Sequence, residues 1–347
     1  MATKTYRPHR IRLWSRRSIP HFQQIVFIGG AACLILSSCG GGSPSALDPH
    51  GPGAGKIATL WWILFIVAAA VFVIVIGALL YALFHRRTTD AMRPVNANAL
   101  VLTLGVVVPA IILMVVLIFT INTEFAVSAP PTPANLTVEV VGHQWWWEVR
   151  YPDQQVTTAN EIHIPVGQSV QVKLTSDTVI HSFWVPQLQA KTDAFPGRTT
   201  TTWLKADQSG DYLGNCAEFC GAEHAHMAFH VIAQSPDQFD TWMKGQQQTP
   251  PQPVPTDLQK GYQVFIGSSC SYCHAIRGTN ASANVGPDLT HLASRETLAA
   301  GTLPNTRGNL AGWITSAQNI KPDNKMPSIY INGDDLQALL NYLESLT

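Results

Sequence analysis

The chain has 347 residues, 46% of them hydrophobic, enough for two or three separately packed units. Its formal charge is zero but unevenly spread. Residues 1–93 hold ten Lys and Arg against two acids, whereas residues 123–243 hold thirteen acids against five bases. The acidic middle disfavours nucleic acid as a partner there and suits solubility or the steering of a basic protein.

Near the start, Arg7, Arg10, Arg12, Arg16 and Arg17 precede an apolar run from Ile25 to Leu36. About 12 residues is the size of an export-signal core, and it is too short to cross a bilayer. The run ends in Leu36-Ser37-Ser38-Cys39 and three glycines. This resembles a bacterial lipoprotein cleavage box, so residues 1–39 are expected to be an export signal with Cys39 lipidated. Ordinary signal cleavage, with Cys39 a bystander, is the alternative.

Two uncharged apolar runs follow, Ala58 to Phe84 and Ala99 to Ile121. Each exceeds the ~20 residues needed to span hydrocarbon, so residues 56–122 read as a transmembrane hairpin. His85, Arg86, Arg87 and Arg93 lie between the runs and place that loop in the cytoplasm. Everything after about Asn122 is then extracytoplasmic, on a bacterial plasma membrane. Trp61 and Trp62 fall where an interfacial aromatic belt is expected, and Pro109 in the second span requires neighbours to satisfy a freed carbonyl.

Beyond the membrane, Leu136–Val141, Glu161–Pro165, Ser169–Leu174, Thr199–Leu204 and Met227–Ala233 are short β-like runs separated by turn signals. They predict a β-sandwich over residues 123–243. Residues 244–256, beginning KGQQQTPPQPVP, read as a linker. Residues 257–347 turn helical, with Leu336, Leu339, Leu340, Leu343 and Leu346 at helical spacing.

The segment NCAEFCGAEHAHM, residues 215–227, concentrates soft ligands. Cys216 and Cys220 are four apart, His224 is four further on, and Met227 three beyond. Thiolate, thioether and imidazole suit copper, and two thiolates on one loop can bridge two copper ions. Each copper then needs a terminal histidine and a weak ligand. His224 supplies one imidazole, and His181, in VIHSFW after a strand, is the expected second. The Met227 sulfur and the Glu218 carbonyl are the expected weak ligands. A Cys2His2 zinc site and a Cys216–Cys220 disulfide are the competing readings. Neither gives Met227 a role. His226 and His230 match no required spacing, and His143 and His163 are expected to be strand or surface residues rather than ligands.

The pattern Cys-x-Glu-x-Cys-x3-His-x2-Met with an upstream His-Ser resembles subunit II of the haem-copper cytochrome c oxidases, and the site resembles their dinuclear copper-A centre. Gly142-His143-Gln144-Trp145-Trp146-Trp147 resembles the family's aromatic stretch, which implies Trp145 as the electron-entry residue. Phe195-Pro196-Gly197-Arg198 resembles its Pro-Gly-Arg turn. The resemblance also implies a cupredoxin-like domain after a two-helix hairpin, and a magnesium ion shared with subunit I on the Glu218 carboxylate. Residues 99–121 contain no acid, unlike the many members that carry a glutamate in the second membrane helix.

Cys270-Ser271-Tyr272-Cys273-His274 is the signature of covalent c-type haem attachment, with His274 as proximal ligand. Met326 is the expected sixth ligand and His291 the competitor; His/Met ligation gives a high haem potential. Gly261-Tyr262-x-x-Phe265, Gly286-Pro287-Asp288-Leu289 and Tyr342 resemble a class I cytochrome c, an all-α fold. Of six cysteines, two then serve copper, two hold haem, Cys39 carries lipid, and Cys33 lies in the signal.

The whole pattern implies a caa-type oxidase subunit II. Its expected cofactors are copper A, haem c and magnesium; its partners are subunit I, other membrane subunits, and a cytochrome c or quinol–cytochrome c reductase donor. By itself it only transfers electrons; oxygen reduction and proton translocation belong to the complex. The alternative is the input subunit of a copper-A nitric oxide reductase. Lys321 and Lys325 are expected to help dock the haem domain on the acidic copper domain.

Overall fold

The computed structural model describes residues 44–85, 96–252 and 254–347. The expected export signal, Cys33, Cys39, Arg86, Arg87 and Arg93 lie outside the described residues.

Helix α1, Pro52–Phe84, and helix α2, Ala97–Ser128, are both long and apolar enough to cross a membrane. At 1.5 Å per residue α1 is about 50 Å long, so it outruns the hydrocarbon layer. Its first turns begin six residues before the apolar run because they pack on protein: Gly53, Ala54 and Ala58 are buried, and Pro52 suits the first helical turn. Two hydrogen bonds tie the hairpin to the β domain, Ala54 N to Leu188 O (3.1 Å) and Trp203 Nε1 to Val127 O (2.8 Å), and a third, Lys56 Nζ to Ala126 O (3.0 Å), joins the two helices. In α2, Pro109 lacks an N–H and crowds the carbonyl four residues back. The chain answers with a π-helical turn over Thr103–Val107, where Val108 N donates to Thr103 O.

The central domain is two packed five-stranded sheets. The first has the order β3-β2-β1-β5-β8: Val156–Ala159, Trp146–Tyr151, Leu136–His143, Val170–Ser176 and Thr200–Leu204. The second has the order β4-β10-β9-β6-β7: Glu161–Pro165, Ala228–Gln234, Gly210–Cys216, His181–Trp184 and Thr192–Ala194. Strands β1 and β5 pair in parallel, as do β4 and β10; the other pairings are antiparallel. Strand β1 alternates buried and half-buried residues along its length, as a half-covered sheet requires. Val138, Val140, Trp147, Leu174, Phe183 and Phe229 fill the space between the sheets. The periodicity located five strands within a residue or two. It missed β2, β3, β6, β7 and β9, the last of which, GDYLGNC, turns Asp211 and Asn215 to the outward face.

Helix α3, Pro236–Gln246, carries a Ser235–Gln238 capping box and takes in the first residues of the segment expected to be linker. The C-terminal domain has three helices, α4 (Gln259–Gly267), α5 (Arg307–Ile320) and α6 (Gly333–Glu344). A short ribbon pairs β11 (Thr297–Leu298) with β12 (Leu303–Pro304). Helices α4 and α6 cross at Gly261, where any Cβ would collide with the Ala338 carbonyl. Phe265, Leu339, Leu340 and Leu343 form the core beneath. The architecture is therefore an apolar helical pair, a cupredoxin-like β-sandwich and a helical C-terminal domain, in the order expected.

Candidate metal and haem sites

Cys216 ends β9 and His181 opens β6; these strands are neighbours, so pairing of Phe183 with Cys216 brings the two residues together. The loop that follows β9 returns to β10 through a short 3-10 turn at His224–His226. Cys216 Sγ lies 3.8 Å from Cys220 Sγ and 3.7 Å from His181 Nδ1. Cys220 Sγ lies 3.7 Å from His224 Nδ1 and 3.8 Å from Met227 Sδ. The Glu218 carbonyl stands 3.2 Å from Cys216 Sγ. All six groups singled out in the sequence thus converge. The arrangement has the two-fold pattern of a bridged pair: two central sulfurs, an imidazole outside each, and one weaker donor on each side.

Cys216, Cys220, His181 and Met227 are buried. The hydrogen bond between the two sulfurs lowers the Cys216 pKa, and the same hydrogen bond, with burial and the charge on Cys216, raises that of Cys220. Ionising both in this buried place needs added positive charge, which is what metal ions supply. Both cysteines are free, and 3.8 Å is far beyond the ~2.05 Å of a disulfide. The donor set fits a copper pair: soft sulfurs, two imidazole Nδ1 atoms and a thioether.

A second cavity lies in the C-terminal domain. Cys270, Cys273, His274 and Met326 all line it, with Phe265 and Leu343 among its apolar walls. His274 Nδ1 donates to Pro287 O at 2.7 Å, which fixes the ring and leaves Nε2 as the ligating nitrogen. Gly286 lies against that ring; a Cβ there would sit 2.6 Å from His274 Cε1. Burial depresses the His274 pKa, favouring the neutral, ligating form. Met326 is held by its backbone: its N–H donates to Asn324 Oδ1 (2.7 Å) and its carbonyl accepts from Gln318 Nε2 (2.8 Å). His291, the alternative sixth ligand, has both ring nitrogens engaged, with Thr347 O and Gln248 O. The cavity fits a c-type haem attached through two thioethers.

The two sites meet at Trp145. Its indole lines the C-terminal cavity, and its Nε1 donates to the Cys220 carbonyl at 3.0 Å. Gln144 Nε2, not singled out in the sequence, donates to the same carbonyl at 2.9 Å. Trp145 is buried, its ring against the Cys220–Gly221 loop and its backbone carbonyl accepting from Lys321 of the C-terminal domain. Lys321 enters the copper domain from the end of α5. Its ammonium donates to Trp145 O (2.7 Å), His226 O (2.7 Å) and Ala299 O (3.2 Å). The other lysine expected at the contact, Lys325, is exposed. His143 sits between Asp177 and Glu148, His163 bonds Gln234, and His230 bonds Asp211; none of the three joins the sulfur cluster.

Comparison with known proteins agrees with this geometry. The family model of the periplasmic domain of cytochrome c oxidase subunit II matches residues 154–234, and that of cytochrome c matches residues 258–347. Cytochrome c oxidase subunit 2 of Alkalihalophilus pseudofirmus is 36% identical to this chain, covering 97% of it and 99% of its own length. The chain belongs to the cytochrome c oxidase subunit 2 family. A second subunit 2, from Bacillus sp. strain PS3, is 31% identical over 91% of this chain and 95% of its own. The periplasmic domain of subunit II of cytochrome oxidase of Bradyrhizobium japonicum aligns at 32% identity over 33% of this chain and 95% of that one, with a TM-score of 0.32. The subunit II domain implies copper A and the cytochrome c domain implies haem c. This subunit 2 is accordingly part of a multi-subunit haem-copper oxidase.

Proposed function

We propose that this subunit 2 receives electrons on its own cytochrome c domain and delivers them, through Trp145, to the copper-A loop and on to the oxygen-reducing subunit. The reading rests on one observation: a single buried indole forms a wall of the haem cavity and hydrogen-bonds the backbone of Cys220. When bound, haem c and the copper pair supply one-electron chemistry, which subunit I uses to reduce oxygen to water in respiration.

The residues divide the work. Cys270 and Cys273 would attach haem, and His274 and Met326 would ligate its iron, in a cavity whose apolar walls would keep out water. Cys216, Cys220, His181, His224, Met227 and the Glu218 carbonyl would hold copper. These donors are held by neighbouring strands β6 and β9 and the loop to β10, a scaffold that would limit rearrangement between oxidation states of a bound pair. The Glu218 carboxylate is exposed beside the copper loop and is proposed to meet magnesium at the boundary with subunit I. The helical pair anchors the subunit as a two-pass protein with both redox domains outside, and Cys39 adds a lipid anchor. The external donor is a c-type cytochrome or a quinol–cytochrome c reductase. It meets the haem domain rather than Trp145, which is covered.

Replacing Trp145 by Phe keeps an aromatic ring but removes the five-membered ring with its N–H. In the purified oxidase, flash-induced electron transfer from haem c to copper should slow about tenfold, the scale of one hydrogen bond in a barrier. The purple mixed-valence copper spectrum should persist. An unchanged transfer rate refutes the route.

A further inference from the structure

A lysine buried at a boundary between two domains is costly unless its charge is fully hydrogen-bonded. Lys321 is 2% exposed, and its three N–H groups meet three carbonyls. Two of these, from Trp145 and His226, belong to the copper domain; they flank the electron-entry indole and the copper loop. The third, Ala299, belongs to the haem domain.

The haem-domain loop that presents Ala299 is unusual. Ala299, Ala300 and Gly301 all have positive φ, at 54°, 59° and 76°. Two consecutive non-glycine residues in this region cost on the order of 1 kcal/mol each, and such strain persists only where surroundings impose it. Here these residues form the turn between β11 and β12, closed by Thr302 N donating to Leu298 O, and that turn is seated on the copper domain: Ala300 O accepts from Ala228 N at 3.1 Å, next to Met227. A second contact flanks it, where the buried Glu161 carboxylate accepts from Glu296 N (2.7 Å) and Thr297 N (3.2 Å). Lys321 is also wired to the haem ligand. Its carbonyl accepts from Asn324 Nδ2, and Asn324 Oδ1 takes the Met326 N–H at 2.7 Å.

Resting on the electron-relay reading, we propose that Lys321 is the positioning residue that locks the haem domain onto the copper domain with the Met326 side of its cavity against Trp145. A compact ammonium meets three converging carbonyls as a planar guanidinium cannot. The contact is made of short, desolvated hydrogen bonds, so it differs from the salt-screened steering that exposed charges such as Lys325 provide.

The test uses the intact oxidase carrying Lys321→Met or, separately, Lys325→Met, read by three measurements. The haem and copper spectra, including the Met–iron band, should match wild type in both variants. Flash-induced transfer from haem to copper should fall at least about tenfold in Lys321→Met, since a charge-assisted hydrogen bond is worth about that factor or more in the docked population. Turnover with a soluble c-type cytochrome should lose kcat and keep its KM, because the donor reads another face of the haem domain. Raising the salt should leave the Lys321→Met defect in place and erase any Lys325→Met defect. Loss of the Met–iron band in Lys321→Met would make the residue a support of the ligand loop and overturn the proposal, as would an unchanged transfer rate. A wild-type oxidase lacking the mixed-valence copper signal would instead sink the relay reading, a result separable from both.

Discussion

Trp145, Trp146 and Trp147 are consecutive, yet each has a different neighbour. Trp147 is completely buried between the sheets, edge-on to His181 and Phe229. Trp146 points the other way and stacks on His143 at 4.3 Å. Trp145 lies under the haem domain. The alternation of a strand explains why they cannot all enter one core, and this much follows from sequence. That Trp145 is covered does not follow, because the covering residues lie far along the chain; Lys321 is 176 positions away. Within the copper loop the argument is sharper. Met227 is 1% exposed with its sulfur 3.8 Å from Cys220 Sγ, and Met227→Leu conserves volume. Its stability cost should stay below about 1.5 kcal/mol by thermal unfolding, while the copper absorption and paramagnetic spectra shift. Unaltered spectra would remove Met227 from the ligand set. Gly286→Ala should do the reverse: a methyl 2.6 Å from His274 Cε1 must displace the ring, at about 1–3 kcal/mol for overpacking. Covalent haem should be retained with a perturbed axial spectrum.

At the scale of elements, legibility followed locality. The Cys-x3-Cys-x3-His-x2-Met and Cys-x-x-Cys-His spacings are local, and each sits on one loop with its donors converging. The membrane runs were legible from length alone, but not the early start of α1, which comes from Ala54 and Ala58 packing on the sandwich. Strands β2 and β3 carry no clean alternation and depend on partners; Glu148 and Arg150 of β2 pair with each other. Strand β10 shows how such pairing becomes pH-sensitive. The Asp211 carboxylate on β9 hydrogen-bonds His230 of β10 and raises its pKa above 6.5, although burial opposes this; Glu161 and the haem domain's Glu296 add to the rise. A histidine whose folded pKa is raised stabilises fully below pH 6.5 and loses that contribution as pH climbs through the raised value. The thermal midpoint of the wild-type oxidase should therefore fall relative to that of His230→Gln over that window, and the difference between the two curves isolates this residue. Parallel curves would contradict the assignment.

For the whole molecule, the sequence implied a linker over residues 244–256 and a haem domain docked by exposed lysine charge, and the structure gives one seated through buried hydrogen bonds. Lys244–Gln246 belong to α3, and the carbonyls of Gln246 and Gln248 accept from Arg277 of the haem domain. Adding Lys321, Glu161 and the Ala228–Ala300 bond, the contact is a hydrogen-bonded interface beside both redox sites. The two pictures predict different responses to linker length. For a floppy tether, effective concentration falls roughly as the −3/2 power of length, so tripling a ~12-residue linker lowers it about fivefold. For a seated domain the linker is slack, and inserting Gly/Ser residues between Thr249 and Val254 should leave haem-to-copper transfer within about twofold of wild type. The same insertion combined with Lys321→Met should restore the length dependence, because docking then relies on the tether again. Flash-induced transfer in the four oxidases decides it: a fivefold loss from insertion alone would mean the linker, rather than the interface, keeps the haem beside Trp145.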